Sequence, residues 1–383
     1  MDYITNMDEL MKRLDEKKPA AGRLVTENPT PNTQRLYDFL LECRGKRFIA
    51  GQQYLFENEL EDLVYYRACG RLPAIRGYDF MGIGGLAEGY DQIERACDWA
   101  KNCGGILTMC WHWYAPDDMS RPEKGSSFYY KTTSYSHKTS FDIIRAAQSG
   151  TPENAFVLRE IDLVAQALKR FEREDIPVLW RPLHEANGNW FWWGNRGEES
   201  VNAYKWLWYT IFDRFMNYHR LTNLIWVWNG QDKSMAVHPN TYDIAGLDIY
   251  ADPPAHSSEA EKYRELAAYT AGKPLALSEC GSVPDPDLMA RDGAQWLWWL
   301  PWWGMFVYET GENGRPVLDE NGMPRPNPKF MTEDFLRRVM GDERVVTLDR
   351  IPWRSPEAKL PQPLRKALGT DYANRTAARG VLR

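Results

Sequence analysis

Short apolar runs recur along the chain, separated by longer stretches whose apolar residues repeat at three and four. The runs RFIAGQQ (47–53), PAIRGYDF (73–80), GILTMCWHW (105–113) and IPVLWRPLHE (176–185) read as strands. So do NLIWVWNG (223–230), IAGLDIY (244–250), PLALSEC (274–280) and WLWWLPWWG (296–304). Most follow Gly, Pro or Asn, and their continuous apolar character is that of strands buried on both faces. The stretch 153–175 has the helical period, with Pro152 just ahead of it as a start signal. Residues 201–220 and 259–273 repeat the pattern, the second closing on Gly272 with Pro274 beyond. Eight strands, each followed by a helix or a shorter connection, predict an α/β fold, the single-domain (β/α)8 TIM barrel. A doubly wound sheet is the competing architecture. Its glycine fingerprint is missing, because MGIGGLAEG (81–89) lacks the GxGxxG spacing and reads as a flexible loop.

Residues 1–45 precede the first strand and are expected to pack across the bottom or side of a barrel spanning 46–353. Residues 354–383 turn basic and Pro-containing, and read as a surface-draped or partly disordered tail. A content of 43% hydrophobic and 26% charged residues is that of a soluble globular chain. The net charge of −6 argues against nucleic acid or an anionic membrane as partner. With 17 Trp, 20 Tyr and 14 Phe, the aromatic load then favours a sugar as ligand, stacked on ring faces. The polar N-terminus has no signal-peptide character, and WLWWLPWWGMFVY is too short to span a bilayer and is broken by Pro301. Six cysteines show no ligand spacing; a Cys97–Cys103 disulfide is conceivable, but six reduced thiols are the simpler reading. The expectation is a cytoplasmic protein, the alternative a secreted one lacking its leader.

In a (β/α)8 barrel the chemistry lies at the C-terminal ends of the strands. Those ends carry Asp79, His112 and Trp113, His184 and Glu185, Asn229, Asp248 and Tyr250, Glu279, and Trp302 and Trp303. Glu185 ends the fourth candidate strand and Glu279 the seventh, so their carboxyl groups should face each other across the mouth. Two carboxylates in an aromatic-lined cleft are the minimum apparatus for glycoside hydrolysis. The rings of Trp190, Phe191, Trp192 and Trp193 would then keep Glu185 protonated by burial and supply a platform for sugar. A metal ringed by His112, His184, Asp79 and Asp248 has no HxH or HExxH spacing behind it, and no cofactor is expected.

WRPLHEANGNWFWWG (180–194), together with RFIAGQQ, PAIRGYDF, GLDIY and LSECG, resembles glycoside hydrolase family 26. These are mainly β-mannanases of the clan whose acid and nucleophile follow strands four and seven. The likeness runs from about Leu24 to Pro352. It implies Glu185 as acid/base and Glu279 as nucleophile. It further implies that His184 hydrogen-bonds at the reacting centre, that Trp190 walls the scissile bond, and that Tyr250 holds the nucleophile with Asp248 nearby. His112 and Trp302 would contact sugar in the glycone subsites. Some members have Arg where this chain has Trp303, which leaves the more distant glycone contacts unassigned.

Each residue also has a plainer reading. Glu185 could be a structural partner of Arg181, Asp248 the brace of an arginine, and His112 and His184 satisfied core histidines. Trp192 and Trp193 could equally be packing. The function expected is a retaining hydrolase of β-1,4-linked mannan, glucomannan or manno-oligosaccharides. Rivals are a β-1,3-xylanase or mixed-linkage β-glucanase of the same family, and a non-catalytic sugar-binding barrel.

Overall fold

The computed structural model describes residues 3, 5–17, 22–55, 59–86, 92–131, 137–312 and 314–368. Eight strands form the barrel: β1 (Phe48–Gln53), β2 (Ile75–Asp79), β3 (Ile106–Cys110), β4 (Val178–Arg181), β5 (Leu224–Trp228), β6 (Ile244–Ile249), β7 (Leu275–Cys280) and β8 (Trp298–Pro301). Every neighbouring pair is parallel. β8 returns to β1 with Ile49 opposite Trp298 and Ala50 opposite Trp299, which closes the ring. All eight predicted strands are present, and this is a (β/α)8 barrel.

The predicted strands overran their C-terminal ends. The ladders of β3, β4 and β8 stop at Cys110, Arg181 and Pro301, so His112, His184, Glu185 and Trp302 lie in loops beyond them. The reason is that these loops are themselves buried and aromatic, so the apolar run does not end where the hydrogen bonding does. The helix Pro152–Glu172 starts one residue earlier than expected, with Pro152 inside its first turn and Thr151 accepting from the Asn154 N–H at 3.1 Å. The third predicted helix is shorter, Ala260–Ala267, and turns carry the chain to Gly272.

Twelve of the seventeen tryptophans are fully buried. Trp180 packs outward from β4, its ring 5.6 Å from Phe80 and 5.9 Å from Phe215. Trp226 on β5 meets Phe212 at 5.1 Å and Trp208 at 5.8 Å, both from the helix Glu198–Asp213. Trp180, Trp208 and Trp226 thus fill the layer between barrel and helices rather than offer a sugar platform.

Leu10 and Leu14 are buried and Arg13 pairs with Asp213, so the N-terminal helix Met7–Glu16 lies along the barrel's side. The Val25 N–H donates to Asp243 at 2.8 Å and the Thr26 hydroxyl to the Leu224 carbonyl at 2.6 Å, which brings this segment under β5 and β6. In the tail, the helix Gln362–Leu368 buries Leu364 while most of 354–368 is exposed; 369–383 lie outside the described residues, as do 87–89 of the expected glycine loop. No described helix is long and apolar enough to cross a membrane.

Candidate active site

The alternation of side chains along a strand sends Arg181 of β4 into the barrel while Trp180 points out. Arg181 is 2% exposed. One of its terminal nitrogens, Nη1, donates to Asn229 Oδ1 at 2.7 Å and to Asp248 Oδ2 at 2.9 Å, while Nη2 donates to Glu279 Oε1. It therefore bridges β5, β6 and β7. The Tyr250 hydroxyl donates to the other carboxylate oxygen, Glu279 Oε2, at 2.7 Å. Both Glu279 oxygens thus accept from donors fixed on other strands. The Tyr250 ring is 44% exposed, but its hydroxyl turns inward, and burial with the Glu279 charge pushes its pKa well above 10. It stays a donor. Burial also pushes Asp248 up, to about 7, against the pull of Arg181, while the Ser278 hydroxyl holds its Oδ1 at 2.6 Å.

Glu185 lies in a loop whose backbone is held in a left-handed conformation, with φ 53° at Leu183 and 51° at Glu185. Such residues cost on the order of 1–3 kcal/mol each and persist only where the surroundings impose them. Here the Trp193 indole donates to the His184 carbonyl at 2.9 Å, and the Asn195 N–H donates to Ala186 O and Gly188 O, both at 2.8 Å. The turn closes so tightly that a Cβ on Gly194 would lie 2.2 Å from the Gly188 carbonyl oxygen. This geometry aims Glu185 at Glu279. Carboxylate oxygens of Glu185, Asp248 and Glu279 lie within 4.8 Å of one another.

Burial first, then the charges of Asp248 and Glu279, push Glu185 well above the usual carboxylate range; the Trp190 hydrogen bond and Arg181 pull the other way. Burial was the expected cause; the charges of Asp248 and Glu279 add to it. Trp192 and Trp193 are fully buried, with Trp192 donating to the Trp113 carbonyl at 2.6 Å. Trp190 alone of the four rings hydrogen-bonds Glu185, its Nε1 donating to Oε2 at 2.8 Å, and it is 36% exposed. Nor is Arg181 the partner of Glu185; its fork is taken up by Glu279 and Asp248.

His112 and His184 form a second group. Asp79 Oδ2 meets His112 Nδ1 at 2.5 Å, and His112 Nε2 faces His184 Nε2 at 3.1 Å. A row of Asp79, His112 and His184 thus runs from β2 to the loop after β4. Burial, then His112 and Arg181, hold His184 well below 6.5, so it is neutral. Although burial opposes it, the imidazole and the hydrogen bonds from His112 and Cys110 hold Asp79 below 3.8. The His184 Nδ1 has no partner among the described residues, and its recorded hydrogen bond goes to His112 rather than to either glutamate. The Trp302 ring is 5.6 Å from that of His112, and Gln52 Nε2 donates to the Trp302 carbonyl at 3.2 Å.

Among the described residues two carboxylate-containing groups have the donor types of a metal site: Asp79 with Cys110 and His112, and Glu185 with Asp248 and Glu279. In the second, the Arg181 guanidinium already occupies the negative charge. In the first, the donors are joined directly, Asp79 accepting from the Cys110 thiol at 3.3 Å as well as from His112. Arg181 is the residue of this cluster that strand-end reading undervalued; its signal was a lone cation closing an apolar strand.

The profile of glycosyl hydrolase family 26 matches residues 25–314. A mannan endo-1,4-beta-mannosidase of Thermothelomyces thermophilus is 32% identical over 337 residues, 85% of this chain and 62% of that protein. Mannan endo-1,4-beta-mannosidase B of Piromyces sp. is 33% identical over 323 residues, 79% of this chain and 53% of that protein. This chain therefore spans less than two thirds of the length of either. Among solved structures, a beta-mannanase from a symbiotic protist of the termite Reticulitermes speratus, complexed with gluco-manno-oligosaccharide, superposes with a TM-score of 0.72 and 30% identity. That match covers 88% of this chain and 99% of the other. The Podospora anserina GH26-CBM35 beta-(1,4)-mannanase gives 0.73 and 31%, covering 88% and 72%. With a profile that takes in the strands, the loop after β4 and the end of β7, the chain belongs to glycosyl hydrolase family 26.

Proposed function

We propose that this chain is a retaining glycoside hydrolase of β-1,4-mannosidic linkages in mannan, glucomannan or manno-oligosaccharides, with Glu185 as acid/base and Glu279 as nucleophile. The observation that carries the reading is the approach of their carboxylate oxygens to within 4.8 Å. Retaining pairs stand about 5–5.5 Å apart, whereas inverting pairs leave about 6.5–9.5 Å for a water. Glu279 attacks the anomeric carbon while Glu185 gives its proton to the glycosidic oxygen, and a glycosyl ester forms. Esterification removes the Glu279 charge, which is one of the causes holding Glu185 up. The Glu185 pKa then falls, and the same carboxylate takes a proton from the water that hydrolyses the ester. The substrate follows from the names of the relatives at 32% and 33% identity. Reducing-sugar release from mannan, mixed-linkage β-glucan and β-1,3-xylan tests it. Mannan should be cleaved fastest. Release only from glucan or xylan would move the substrate within the family, and none from any would leave a sugar-binding barrel.

The six cysteines are free thiols, five of them buried. That supports work in a reducing compartment on short manno-oligosaccharides. On this reading kcat/KM levels off by mannopentaose; a rise through mannohexaose with rapid loss of galactomannan viscosity would favour a secreted polymer-degrading enzyme.

A further inference from the structure

We propose that Tyr130, with Lys131 and Asn189 at its rim, forms a second sugar platform on the leaving-group side of the cleft. It would take the β-linked hexopyranose beyond the one released at Glu185. The inference rests on the assignment of Glu185 as acid. Because Trp190 donates to Glu185 Oε2 at 2.8 Å, its indole borders the acid, on the side from which the leaving sugar departs. Tyr130 follows directly: its backbone N–H donates to the Trp190 carbonyl at 2.6 Å. The two rings are 36% and 37% exposed, unusual for large aromatic residues in a chain whose tryptophans are mostly buried.

Behind Tyr130 sits the Arg196 guanidinium, 4.0 Å from the ring centroid. That cation is itself fixed by the carbonyls of Phe191 and Gly194 at 3.2 Å and of Trp192 at 3.0 Å. One face of the ring is thereby braced, and the residue is 37% exposed. A braced ring binds at low entropic cost, and the C–H face of a pyranose stacks on such a surface. At the edge, Lys131 Nζ donates to Asn189 Oδ1 at 2.8 Å, leaving polar groups that suit equatorial hydroxyls.

The test measures kcat/KM of wild type, Tyr130→Ala and Tyr130→Phe on mannopentaose and on an aryl β-mannobioside, whose leaving group does not reach Tyr130. Tyr130→Ala should lower the ratio of pentaose to aryl-substrate efficiency by roughly five- to a hundred-fold, the range for loss of one stacked ring. Tyr130→Phe should restore the ratio. An unchanged ratio, or an equal loss on both substrates, overturns the platform. A wild type that cleaves neither substrate overturns the functional reading itself, and the platform with it.

Discussion

Glu185 is held between opposing pulls: burial and the charges of Asp248 and Glu279 raise its pKa, while the Trp190 indole and Arg181 lower it. The raising effects win, so the acid stays protonated above the usual carboxylate range, and kcat/KM on natural substrate should fall on the basic side as Glu185 ionises. Glu185→Ala should lose that basic limb on an aryl mannobioside with a good leaving group and regain turnover with azide; equal loss on aryl and natural substrates would contradict the role. A raised carboxyl pKa also destabilises the fold as pH rises, because the folded state binds the proton more tightly than the unfolded one. Glu185→Gln should therefore melt higher than wild type, with a gap that widens as pH increases above the ordinary carboxyl range. A gap that narrows with pH would refute it. The two glutamates were legible because strand order alone places them across the mouth. The work of Arg181 was not, since its partners Asp248 and Glu279 lie 67 and 98 residues away and meet it only when the ring closes.

At the scale of elements, the loop after β4 and the contact between β2 and the helix Leu60–Cys69 that precedes it carry the strain and the buried charge. Gly194 faces the Gly188 carbonyl with no room for a methyl group. Gly194→Ala should displace Glu185, lowering kcat by at least about ten-fold, while the melting temperature falls modestly, as for ~1–3 kcal/mol of overpacking. Activity retained at wild-type level would mean that the loop is not what aims the acid. On β2, Arg76 is sandwiched between Tyr54 and Trp99 at 4.2 and 4.1 Å and paired with Glu59 at 2.6 Å and Asp62 at 2.5 Å. Arg76→Ala leaves the buried Asp62 without its cation and Glu59 with only Arg95 at 3.4 Å, and should cost about 3–5 kcal/mol in urea unfolding. A loss below ~1 kcal/mol would show the network to be solvated. The strands were legible from apolar runs because both faces are covered. Their ends were not, because His112, Glu185 and Trp302 continue the apolar composition into loops that no longer pair.

The whole molecule is a barrel closed by β1 against β8, and closure makes one site from residues on separate strands. Arg181, Asp248, Tyr250 and Glu279 come together only then, so the site and the fold should be lost in a single transition. At this scale the composition gave the class of ligand but not its contacts, since twelve of the seventeen tryptophans are fully buried. What the barrel leaves at its mouth is a pair of carboxyl groups, and the central claim is that they act by a covalent intermediate on Glu279. The most direct measurement is trapping with a 2-deoxy-2-fluoro β-mannosyl fluoride followed by mass spectrometry of the peptide containing LALSECG. One glycosyl adduct on Glu279, absent from Glu279→Ala, is predicted. An active enzyme that forms no adduct and releases products of inverted configuration, or one labelled on another carboxylate, would contradict it.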